Sequence, residues 1–216
     1  MFDALFTTTT EYKKLSHALS GKGACALFGL PASGRAQVYA ALCRQFDKPL
    51  CIVTPGEAEA TRFAADLNTL GIPAAVFPAR DYVLRPIEGT AREYEYRRLA
   101  VLGELVGGRL RAVAVPAEAL TQFTTPKEDF CANTRTLHAG DTLLRDDLLA
   151  ALFGAGYTRR AQVDGPGQFS VRGDIVDIFA PDQKMPVRME FWGDEIDTLH
   201  TFDLTTQRRE DAIDKF

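Results

Sequence analysis

GQFSVRGDIVDIFAP (residues 167–181) and PVRMEFWGDEIDTLHTFD (residues 186–203) read as two β-hairpins. In the first, Phe169 and Val171 alternate with polar neighbours up to Gly173-Asp174, and β-branched residues resume beyond that pair. In the second, Met189 and Phe191 alternate up to Gly193-Asp194, and Ile196 follows. Successive side chains of a strand point to opposite faces, so a period of two marks a sheet with one buried face. Glycine beside aspartate between two such runs suits a tight hairpin turn. The region is therefore expected to be antiparallel sheet.

Immediately upstream, Leu144, Leu148, Leu149 and Leu152 recur at helical spacing, which predicts a short helix over 145–153 ended by Gly154 and Gly156. Before about Thr125 the pattern changes. Unbroken apolar runs appear at ACALFGL (24–30), PLCIVTP (49–55), PAAVFPA (73–79) and LRAVAVP (110–116). Such runs suit strands buried on both faces. Helical patterns lie between them. Val38, Ala41 and Leu42 share a face within 35–46, and Ala60, Phe63, Leu67 and Leu70 share one within 57–70, where Gly71 follows as a C-cap. A third helix is expected over roughly 89–106. Strands alternating with helices imply a parallel α/β sheet. The fold class is thus α/β over residues 1–125, followed by a small α+β antiparallel domain over 126–205.

Composition excludes several roles. Hydrophobic residues make up 46% and charged residues 25% of the 216, an ordinary profile for a soluble protein. No run approaches the roughly 18 apolar residues of a membrane-spanning helix. The start, MFDALFTTTTEYKKLSHAL, lacks the parts of a signal peptide, so a cytoplasmic location and no membrane association are expected. Cys25, Cys43, Cys51 and Cys131 form no C-x-x-C pair, and His17, His138 and His200 lie far from them, so no metal site is expected. The net charge of −4 argues against a module that lives by holding phosphate backbones. Asp146-Asp147 and Asp194-Glu195 are adjacent pairs, which do not face each other for acid–base work.

GLPASGRA (29–36) follows an apolar run and opens a helix, where a phosphate-binding loop of the form G-x-x-x-x-G-K-[ST] belongs. Gly29 and Gly34 have the required spacing. Arg35 replaces the phosphate-binding lysine, and Ala36 replaces the hydroxyl that holds magnesium. The loop is expected to be a non-functional relic, kept as a strand-to-helix turn. A second cluster comprises Arg159, Arg160, Arg172 and Arg188. Arginine is enriched at the energetic centres of protein interfaces, although for Arg172 a solvent-facing charge, or an internal pair with Asp174 or Glu190, is the plainer reading.

The two hairpin runs resemble the domain shared by the excision-repair helicase subunit UvrB and the transcription-repair coupling factors. The resemblance rests on Gly167, Phe169, Arg172, Gly173, Asp177, Phe179, Arg188, Glu190, Phe191, Asp194, Glu195, Ile196, Phe202, Asp203, Gln207 and Arg208. Ala180 departs from the family pattern by one residue. The decayed loop, and FPARDYVLRPIEGTAREYEYRRLAVL in place of a long tyrosine-rich hairpin, make the first domain similar to the N-terminal module of the coupling factors. That resemblance implies a degenerate helicase-like first domain and a second domain that recruits UvrA. It implies that Arg159 and Arg172 carry that contact, with Phe179 as a further candidate, while Ser170 departs from a third family arginine. Residues 206–216 would begin a return segment into the first domain, truncated here. The implied whole protein also engages RNA polymerase and double-stranded DNA as an ATP-dependent translocase. This chain would be a non-catalytic adaptor without a cofactor. The alternatives are a nucleotide- and DNA-binding fragment of a UvrB-type helicase, or a generic DNA-binding domain that uses Arg92, Arg97 and Arg98.

Overall fold

The computed structural model describes residues 6–21, 23–80 and 92–216. They fall into two compact units, one drawn from Met1–Arg85 and Gly107–Phe123, the other from Pro86–Val106 and Thr124–Phe216. The elements run α1 (Thr10–Ser20), α2 (Ala32–Gln45), β1 (Leu50–Thr54), α3 (Glu57–Thr69), β2 (Ala74–Val76), α4 (Glu93–Val106), β3 (Ala112–Pro116), α5 (Ala117–Leu120), α6 (Lys127–Ala132) and α7 (Arg145–Gly154). Six strands follow: β4 (Thr158–Arg159), β5 (Gln168–Arg172), β6 (Ile175–Phe179), β7 (Val187–Trp192), β8 (Glu195–Phe202) and β9 (Arg209–Ala212).

In the first unit the sheet order is β1-β3-β2, and both pairings are parallel. All five residues of β3 are buried, as its unbroken apolar run predicts. Strand β1 is buried on one face only, with Val53 54% exposed on the other. Ala60, Phe63 and Leu67 of α3 pack with Ile52 and Ala114 of the sheet and Ala40 of α2. Gly71 takes a φ of 74°, a left-handed conformation in which a glycine ends a helix at little cost. Helix α1 is capped by Thr9, whose hydroxyl accepts the Tyr12 N–H at 3.3 Å.

The expected strand over 24–30 is not formed. Residues 23–28 carry no regular structure, and Phe28 is 89% exposed. An apolar run becomes a strand only when a neighbouring backbone offers its hydrogen bonds, and this run makes no pairing in the three-stranded sheet. The third helix differs in another way. Although β2 and β3 flank it in sequence, α4 belongs to the second unit by its contacts. Its buried Arg98 donates to Thr124 Oγ1 at 2.8 Å.

The second unit is built on a six-stranded sheet of order β4-β5-β6-β7-β8-β9. Every pairing is antiparallel except the short parallel pair β4–β5. Both hairpins turn where the sequence places them, with Gly173 at φ 61° and Gly193 at φ 64°. One face is closed by Leu148 and Leu152 of α7 against Phe169, Val176, Ile178 and Met189. The tail that the sequence sets apart as a return segment continues this sheet: β9 pairs with β8, and Phe216 and Leu137 exchange two backbone hydrogen bonds.

Candidate protein-interaction surface

Strand register lines up Ser170, Asp177, Arg188 and His200 across β5, β6, β7 and β8. They occupy the sheet face opposite α7. Asp177 is fully buried at the centre of this row. Arg188 grips it with two parallel bonds, Nε to Oδ1 at 2.7 Å and Nη2 to Oδ2 at 2.9 Å. Arg172 reaches the same carboxylate from the hairpin end, Nη2 to Oδ2 at 2.5 Å. A buried carboxylate is tolerated only when paired and hydrogen-bonded, and the two guanidinium groups meet that condition. The bond to Asp177 raises the Arg188 pKa above its ordinary value, against the opposing effect of burial.

Arg188 also lies over the Phe202 ring, 4.7 Å from its centroid, and donates to the Gln207 carbonyl at 3.1 Å. Beneath it, Phe179 and Phe202 pack with Val163. Asp203 holds the following turn by accepting the N–H groups of Thr205 and Thr206 at 3.1 and 2.6 Å. These bonds, chiefly the one from Thr206, lower the Asp203 carboxyl pKa below its ordinary value. Arg209 pairs with Glu190 at the neighbouring position.

The arginines singled out from sequence are therefore dissimilar. Arg188 is only 9% exposed and is committed to Asp177. Arg172 keeps 45% of its side chain exposed while bonded to Asp177, not to Asp174 or Glu190. Arg159 is exposed on β4, the sheet edge, and no ion pair holds it among the described residues. Register sets Arg159 beside Phe169, on the face opposite Ser170 and Arg172, three residues or about 10 Å from Arg172 along β5. The two side chains therefore leave the sheet on opposite faces. Phe179 is 7% exposed and supports this surface from within. The charged row was missed in sequence, although an aspartate inside the apolar run IVDIF is the signal that points to it.

The other candidate sites are occupied by internal contacts. Helix α2 begins at Ala32, so Arg35 lies in its first turn, 3.7 Å from Glu59 Oε1. Ala36 is 3% exposed, Gly34 abuts Pro31, and Gly29 has a φ of 78°. Arg92 donates to the Gly156 carbonyl at 3.2 Å, Arg97 lies over Tyr94, and Arg98 is buried. Among the described residues no group of three or more His, Cys, Asp or Glu is arranged to hold a metal ion, and no helix is long and apolar enough to cross a membrane.

Residues 136–216 match the family model of the UvrB interaction domain, which covers every strand of the second sheet. The chain is 38% identical over 192 residues to the transcription-repair-coupling factor of Mycobacterium bovis, an overlap of 85% of this chain and 15% of that protein. It is 29% identical over 184 residues to the coupling factor of Bacillus subtilis, covering 84% of this chain and 16% of that protein. The chain is thus similar to transcription-repair-coupling factors over most of its length. A Staphylococcus aureus coupling factor matches 87% of the chain at 29% identity. The chain spans 15–16% of the length of these coupling factors.

Proposed function

We propose that the chain is the adaptor part of a coupling factor, and that its second unit recruits the excision-repair protein UvrA. The observation that carries this reading is the match of residues 136–216 to the UvrB interaction domain. Physical chemistry supports the same unit. Arg159 is exposed and unpaired by ions among the described residues, and Arg172 presents half its side chain from an anchored position. A guanidinium gives charge-assisted, geometrically demanding bonds, which supply affinity and docking register. Phe179 contributes as a packed support for the strand that carries Asp177.

The first unit, drawn from Met1–Arg85 and Gly107–Phe123, would be the helicase-like domain, and the second unit, which also takes in α4, the recruiting domain. Arg35 and Ala36 support a non-catalytic role for the first unit, since they lack the ammonium and hydroxyl groups that nucleotide chemistry uses. In the whole protein, RNA polymerase and double-stranded DNA are the further proposed partners and ATP-driven translocation the proposed activity. The cytoplasm is the proposed location.

Two experiments test the reading. Co-elution of this chain with UvrA from the same organism on size exclusion is the expected result. Calorimetry with ATP and magnesium should give no binding heat. Micromolar nucleotide binding would favour a UvrB-type helicase fragment instead.

A further inference from the structure

Helix α4 lies outside the residues matched to the interaction domain, yet its contacts place it with the second unit. Those contacts gather at one end of the six-stranded sheet. Tyr96 lies against Gly167, which has a φ of 73°. A Cβ at Gly167 would meet Tyr96 Cε1 at 2.9 Å and the phenol oxygen closer still, so the tyrosine occupies the place of the missing side chain. One helical stretch further along, a Cβ at Gly103 would come within 3.3 Å of Asp182 Cβ. Arg92 closes the other end on the Gly156 carbonyl. Tyr157 sits among these groups, and burial, with the charge of Asp182 and the proximity of Tyr96, raises its pKa well above the ordinary phenol value.

Gly167 is the backbone joint of this end of the sheet. Its N–H donates to the Phe179 carbonyl at 2.8 Å, and its own carbonyl accepts the Thr158 N–H at 2.9 Å. Strand β4 has only two residues, and a second bond, Arg160 N–H to the Phe169 carbonyl at 2.8 Å, completes its attachment. An edge strand so short has little rigidity of its own. Whatever fixes Gly167 therefore fixes the strand that presents Arg159.

We infer that α4 is a clamp on the recruiting surface, in which Tyr96 acts as a positioning residue for Arg159 by locking Gly167 and the β4 edge. The inference rests on the proposed UvrA-recruiting role for its effect on affinity, but the clamp itself can be read without UvrA. Amide hydrogen exchange on the whole chain is the direct measurement. Tyr96→Ala should accelerate exchange at the Thr158 and Arg160 amides at least tenfold, while the amides of β7 and β8 keep their protection. Tyr96→Phe, which keeps the ring, should restore it. Should the alanine variant fail to fold, Tyr96→Leu is expected to give the same local loosening. Calorimetry with UvrA then reads the coupling. Tyr96→Ala is expected to weaken binding at least fivefold, and to weaken it less than twofold further when Arg159→Ala is already present. Unchanged protection at Thr158 and Arg160 overturns the clamp, even if UvrA does not bind the wild-type chain. A Tyr96 effect that adds in full to that of Arg159→Ala overturns the route through β4.

Discussion

Asp177 is the residue on which the second unit's polar face turns. It is fully buried and shared by Arg188 and Arg172. Removing it leaves the buried Arg188 guanidinium without its counter-charge, a change that costs about 3–5 kcal/mol when a buried pair is broken. Asp177→Ala should lower stability by that amount in urea unfolding followed by circular dichroism. Arg172→Ala removes a half-exposed partner and should cost less than about 1 kcal/mol in the same assay. Asp203 predicts a pH dependence. Its carboxyl is held below the ordinary pKa, so the folded state favours the ionised form. The contribution is complete above the unfolded value of about 3.9 and is lost as pH falls through the lower folded value. The protection of the Thr205 and Thr206 amides, taken relative to their intrinsic exchange at each pH, should therefore fall on acidification through that window, and Asp203→Asn should remove the dependence. Little of this was legible in sequence. Spacing alone suggested Asp174 or Glu190 as the partner of Arg172, whereas the cross-strand register of β5 and β6 brings Asp177 to it.

At the scale of elements, legibility follows where each element gets its stability. The two hairpins carry their own pattern, with a buried face and a Gly-Asp turn, and both form as read. Strands β4 and β9 are exposed along their whole length and have no apolar alternation to announce them. They exist because β5 and β8 offer free backbone groups. The run ACALFGL shows the converse, since apolar composition without a pairing partner produces no strand. Helix α4 was legible as a helix, but its allegiance to the second unit depends on a fit between Tyr96 and Gly167 that no periodicity encodes. Helix α3 gives a clean test of its C-cap. Gly71→Ala forces a Cβ into a left-handed backbone and should destabilise the first unit by about 1 kcal/mol, read as a lower melting temperature.

For the whole molecule, the sequence separates a parallel α/β part from an antiparallel part, and the structure contains both sheets. The family match falls on the second part, which also carries the exposed and anchored arginines. The first part holds Arg35 paired to Glu59 in the opening turn of a helix. That combination supports the proposed adaptor, which would work through protein contact. The most direct measurement is calorimetric titration of this chain with UvrA from the same organism, beside folded Arg159→Ala and Arg172→Ala variants. The expected result is micromolar or tighter binding, weakened at least tenfold, or about 1.4 kcal/mol, by either substitution. No binding by the folded wild-type chain, or undiminished binding by both variants, would contradict the recruiting role of this surface.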